Sequence, residues 1–267
     1  GKECATMRGN FIYISLEPVT NMIYSLGILP ADFLNGIPAI PNQLLLLNEE
    51  SGNDVEINPH TRLQTITGQA QIRRYLLGKH DHAVKWLDYA HSDDLDFLLP
   101  TEIAELLYLA HMDTHIRTPF YAKLQNNYVS LSLRDGFYKT YYRHLGDVDH
   151  VLEVSIKRHL RAMHNNRWVF DRPLAISDVP HEILLQLTQG LMDGMIVAFD
   201  QLVERRRVYV IPVRAITHPE HQNAWYTQED VYADSREVAS LRYDLTTREW
   251  ALSIHDNQVF NDVSELI

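Results

Sequence analysis

The side chains with most chemistry to offer are histidines, fourteen of them in 267 residues. Two groups stand out. One is His80-Asp81-His82, with His91 beyond it, and the other is His111-Met112-Asp113-Thr114-His115. If a helix opening at Thr101 runs past Ala110, His111 and His115 fall at i and i+4 on one face. That spacing lets one helix present two imidazoles to one metal ion. A metal held there would lower the pKa of a bound water and supply a hydrolytic nucleophile. A third protein ligand is needed, and the sequence offers His80, His82, Asp113, His144 and Asp149. The cofactor is not fixed by the sequence; a divalent metal is the candidate, with His111, His115, His80, His82 and Asp113 as its candidate ligands. The position after His111 is Met112, where the zincin pattern requires Glu. Histidines at a helix C-terminus also suit the helix dipole with no metal at all.

His80-Asp81 resembles the His-Asp pair of the HD phosphohydrolases, but the rest of that pattern is not found at suitable places. A second candidate surface is the segment Tyr128–Arg143, rich in tyrosine and divided by Asp135-Gly136. Asp-Gly supplies the positive φ angles of a two-residue type I′ turn, so a β-hairpin is expected. In that register Leu133 faces Tyr138. Arg134, Lys139 and Tyr141 then share one side with Ser130, Ser132 and Phe137, as a candidate ligand-binding face for a nucleotide or other small molecule. The same aromatics also serve as ordinary cross-strand pairs. Arg205-Arg206-Arg207 reads as cations closing a helix, or as an anion site. There is no P-loop, no GxGxxG fingerprint and no GxSxG elbow, which disfavours common nucleotide binding and serine-hydrolase chemistry.

These groups must be positioned by local elements. Phe11–Leu16, Gln43–Leu47 and Leu63–Thr67 read as strands. The Pro- and Gly-punctuated stretch 27–42 reads mostly as loop. Gln69–Leu77 has helical spacing. So does His82–His91, through Ala83, Trp86, Leu87 and Ala90, with Asp81 as its N-cap. Helices follow from Thr101 and over Asp147–His164, and Arg167–Phe170 reads as a strand. The longest helix is expected over Pro180–Arg205, where Leu184, Leu187, Leu191, Met195, Ala198 and Leu202 form a seam interrupted by Gly190 and Gly194. Val208–Val213 is a strand whose Pro212 suggests an edge or an end. His218–Glu229 is polar loop, and Ala239–Leu245 with Arg248–Ile254 forms a second hairpin. Strands and helices do not alternate strictly, so the class is α+β, with antiparallel hairpins packed on several helices. Residues 7–267 are expected to form one domain, the alternative being a division into 7–125 and 126–267. The chain does not begin with Met, so Gly1–Thr6 are left out of the fold reading.

The composition is that of an ordinary globular protein, 45% hydrophobic and 22% charged, with a formal net charge of -11. An acidic surface disfavours non-specific nucleic-acid binding and docking on anionic membranes. The single cysteine, Cys4, forms no intramolecular disulfide and fits a reducing cytoplasm. With no complete catalytic set in view, the leading expectation is a non-catalytic binding protein. Its expected partner is a second copy, docked through the 180–205 seam or the edge strands. The rivals are a metal-dependent hydrolase and a small-molecule or nucleotide sensor.

Overall fold

The computed structural model describes residues 10–48, 50, 52, 54–112, 118–167, 174–224 and 227–257. The described residues form thirteen strands, and the pairings of known register are all antiparallel. With the helices beside them this is an α+β fold. Among the described residues no helix is long and apolar enough to cross a membrane. Contacts divide the chain into two compact units that interleave in sequence, one of residues 16–24 and 29–151, the other of 1–15, 25–28 and 152–267. Strands β1 (Ile12–Glu17) and β2 (Met22–Leu26) contribute residues to both.

The first unit carries β3 (Gln43–Leu46), β4 (Glu56–Ile57), β5 (Gln64–Thr67), β6 (Lys85–Asp88), β7 (Tyr128–Ser132) and β8 (Tyr138–Tyr142). Their order is β2-β8-β7-β6-β3-β5-β4. Leu45, Leu87, Val129 and Tyr141 sit opposite one another in a row across β3, β6, β7 and β8. All four belong to one buried cluster with Leu106 and Ala110 of a helix. Three helices serve this unit: α1 (Pro30–Gly36), α2 (Gln69–Leu77) and α3 (Pro100–Met112).

Three local expectations change here. The 27–42 stretch is not mostly loop, because Pro30 starts α1 and the Asp32 carboxylate accepts the Leu29 N–H at 2.8 Å. Proline at the first helical position gives up no hydrogen bond. The helix expected over His82–His91 is instead strand β6, held between β3 and β7. An interior strand buried on both faces presents consecutive apolar residues, which periodicity alone does not separate from a helical stripe. The first hairpin exists with its Asp-Gly turn, Asp135 at φ 56° and Gly136 at φ 80°, closed by the Phe137 N–H on Arg134 O at 3.2 Å. The ladder, however, is shifted by one. Leu133 N–H bonds Phe137 O, Ser132 faces Tyr138, and Arg134 is left over as an extra residue in the turn. A one-residue slip exchanges the faces of one strand relative to its partner.

The second unit carries β1, β9 (Met195–Val197), β10 (Val203–Arg205), β11 (Val208–Ile216), β12 (Ser235–Asp244) and β13 (Trp250–Ile254). The order is β1-β9-β11-β12-β13, with β10 also on β11. Its helices are α4 (Gly146–Arg167), most of which belongs to this unit, α5 (His181–Thr188) and α6 (Gln228–Ala233). The long helix expected over 180–205 is not formed. It stops at Thr188, and Met195–Val197 enters the sheet between β1 and β11. Gly194, at φ 97°, makes the reversal that a helix does not allow. Leu184, Leu187, Leu191, Met195, Ala198 and Leu202 are all buried, but they do not share one helix, so the docking seam is absent. Pro212 is interior rather than at an end. It sits where the neighbour of β11 changes from β10 to β9, and its carbonyl accepts the Ala198 N–H at 2.9 Å. The second hairpin is formed as β12 and β13. The polar 218–229 stretch holds a 3₁₀-helix, Pro219–Ala224, and the start of α6, capped by Thr227. The strand expected at Arg167–Phe170 falls largely outside the described residues, with Arg167 itself closing α4.

Candidate metal centre

Three segments of the first unit converge on one carboxylate. Glu50 follows β3 and is tied to β5 by a reciprocal pair of hydrogen bonds. Its N–H donates to Gln64 Oε1 at 2.6 Å, and Gln64 Nε2 donates to its carbonyl at 2.8 Å. Helix α2 ends at Gly78, and the chain then carries His80 back over its last turn. There His80 Nε2 lies 2.7 Å from the Tyr75 carbonyl, with the two rings 4.9 Å apart. His82 stands just before β6, its Nε2 2.8 and 2.7 Å from the two Glu50 oxygens and its Nδ1 2.9 Å from Asp81 Oδ1. Tyr75 OH donates to Glu50 Oε1 at 2.6 Å.

The hydrogen bonds fix the proton positions. A carbonyl accepts only from an N–H, so His80 carries its proton on Nε2 and has Nδ1 left as a ligand nitrogen. His82 faces carboxylates on both sides. Its hydrogen bond to Glu50, then that to Asp81, raises its pKa, while the bond to His82 lowers that of Asp81. Burial, then the bond to Glu50, pushes the Tyr75 hydroxyl far up, so it stays a donor. The Glu50 side chain is only 5% exposed, whereas His82 is 42% exposed, so the centre opens to solvent on the histidine side.

One ligand atom from each of Glu50, His80 and His82 lies within 4.8 Å of the others. Two imidazoles and a carboxylate are a common set for zinc and related ions. The outer partners also fit. A ligating histidine usually donates its second N–H to a carbonyl or carboxylate, and here Tyr75 O and Asp81 fill those places. A metal would take the place of the proton between His82 and Glu50.

His82 also lines a cavity of about 470 Å³ with Leu47, Asn48, Arg62, Leu63, Gln64, Leu107 and His111. His111 lies in the last turn of α3, and its Nε2 is 3.0 Å from the Leu47 carbonyl. The structure thus brings His82 and His111 to one cavity, although His111 is not among the clustered ligand atoms. His115 and Asp113 lie outside the described residues. His144 lines a different cavity, of about 510 Å³, with Asp88, His91, Tyr128 and Asp147. His159 and His164 are buried and bonded, His159 Nε2 to Gly27 O at 2.7 Å and His164 Nδ1 to Tyr209 OH at 2.6 Å.

Glu50 was missed by sequence reasoning, because nothing in spacing connects it to a histidine thirty residues on. The other candidate face, Arg134 with Lys139 and Tyr141, does not assemble. Arg134 is exposed at the turn, while the shifted register turns Lys139 and Tyr141 to the side of Val129 and Leu131. Tyr141 is 1% exposed, and burial pushes its hydroxyl up to about 12 and the Lys139 ammonium down. Comparison with protein-family models, with curated proteins and with solved structures found no match.

Proposed function

We propose that this protein is a metal-dependent hydrolase, with a divalent transition ion held by Glu50, His80 and His82 beside the cavity that His111 and Arg62 line. The observation that carries the reading is the clustering of those three ligand atoms, each backed by an outer partner, with one of the three residues, His82, also lining a cavity. A metal held there would lower the pKa of bound water towards neutrality and so supply the nucleophile that hydrolysis needs. The chain supplies the rest. Tyr75 and Asp81 orient the ligands. His111, its Nε2–H committed to Leu47 O, offers Nδ1 to accept a proton in the cavity. Arg62 provides a cation suited to an anionic ester. It holds a left-handed backbone, φ 63°, unusual outside glycine, at the cavity wall.

Metal-stripped protein titrated with Zn²⁺ by calorimetry should bind it, and His82→Ala should remove one equivalent. The loaded protein should then cleave p-nitrophenyl phosphate in preference to p-nitrophenyl acetate. Zinc uptake left unchanged by His82→Ala would remove the reading. Full uptake without turnover of either ester would remove the hydrolase and leave a metal-binding protein. A reducing cytoplasm remains the expected location, on the strength of the single cysteine.

A further inference from the structure

A second group of ligands stands in the other unit, on the connection from β11 to β12. The 3₁₀-helix Pro219–Ala224 begins just after His218. Its three-residue turn eclipses positions i and i+3, so His218 and His221 stack, with ring centroids 5.0 Å apart and an interplanar angle of 22°. Asp234, which ends α6, faces both. Its Oδ1 lies 2.6 Å from His218 Nδ1 and accepts the Thr217 hydroxyl at 2.7 Å. Its Oδ2 lies 3.9 Å from His221 Nδ1.

That second oxygen is the telling atom. Oδ2 is buried and has no hydrogen-bond partner among the described residues. A buried carboxylate oxygen without a donor is costly, and a bound ion is one of the standard explanations. The 3.9 Å gap to His221 is too long for a hydrogen bond. It is near the roughly 3.3 Å that separates two ligands of one tetrahedral zinc. Asp234 is 16% exposed and each histidine 56%, so a carboxylate at the base is overhung by two imidazoles open to solvent. One ligand atom from each of the three lies within 4.8 Å of the others. A lone His-Asp ion pair accounts for His218 and Oδ1. It accounts for neither the stacked His221 nor an Oδ2 that has no hydrogen-bond partner among the described residues.

We propose that His218, His221 and Asp234 bind a divalent transition ion of the zinc class, which clamps the β11–β12 connection. Three protein ligands leave the remaining positions to water. The inference does not depend on the centre at Glu50, and the test separates the two. Full-length protein carrying His82→Ala is stripped of metal, titrated with Zn²⁺ by calorimetry, and titrated with Co²⁺ while the visible spectrum is followed. One equivalent should bind, with the absorption of nitrogen-ligated Co²⁺. Adding His221→Ala should weaken binding at least about tenfold. So should Asp234→Asn, which keeps an acceptor for Thr217. Loading with Zn²⁺ should also slow proteolysis within residues 217–234. His221 is exposed, so its replacement does not threaten the fold if Asp234→Asn proves unstable. Absence of uptake in the His82→Ala protein would overturn the proposal, as would uptake unchanged by His221→Ala.

Discussion

At the scale of single residues, hydrogen-bond partners decide what each titratable group can do. Tyr75 touches no proposed metal position, yet its hydroxyl and its carbonyl hold two of the three ligands. Tyr75→Phe removes only the hydroxyl. It should weaken Zn²⁺ binding by about 10- to 100-fold and leave the melting of the metal-free protein nearly unchanged, as calorimetry and thermal denaturation would show. Asp88 is the other instructive residue. It ends β6 and accepts the N–H groups of Asn127 and Tyr128 at 2.9 and 2.7 Å. Burial nevertheless raises its carboxyl from 3.8 to about 6. The native state therefore binds more protons than the unfolded chain between those values. Stability from this group is complete below about pH 4 and is lost as pH rises through about 6, by ~3 kcal/mol. Asp88→Asn should flatten that slope. Urea denaturation of both proteins at pH 4.5 and 7 would test it, and parallel losses in the two would refute the assignment.

At the scale of elements, the chain turns where a backbone demands it. Helix α5 gives way to β9 at Gly194, whose φ of 97° favours glycine. A Cβ added there would lie 2.7 Å from Ile216 Cγ1 and 3.2 Å from Tyr13 Cε2. Gly194→Ala should therefore cost roughly 2 kcal/mol or more, read as a lower urea midpoint at unchanged m-value. Gly36 is held by packing instead. A Cβ at that position would come within 2.5 Å of the Val151 Cα, so α1 lies directly on the backbone at Val151, within the same unit. The hairpin of β7 and β8 makes the same point about register. Its Asp-Gly turn has the expected backbone, and one extra turn residue still moves Lys139 and Tyr141 from a surface into the core.

At the scale of the whole molecule, charge sets which partners are acceptable. A formal charge of -11 opposes phosphate backbones over much of the surface. Binding to a generic DNA duplex should be undetectable at about 150 mM salt by fluorescence anisotropy. Tight binding that weakens steeply with added salt would instead reveal a concentrated basic patch.

The sequence by itself determined the α+β class, most of the strands, helices α2, α3 and α4, both hairpins and the negative formal charge. Each of these follows from local periodicity, turn chemistry or composition. It also placed His80 and His82 among the possible ligands, and it contained the His218-His221 spacing unread within a polar loop. What only the tertiary structure decided is which groups meet. The apolar run at Trp86-Leu87 is a strand because β3 and β7 flank it, and the 180–205 seam is broken because β9 is needed between β1 and β11. Glu50 joins His80 and His82 only because Gln64 of β5 and Tyr75 of α2 hold the three together. Those contacts span distances in sequence over which neither helical nor strand period carries information, so a site built from them is visible only once the chain is folded.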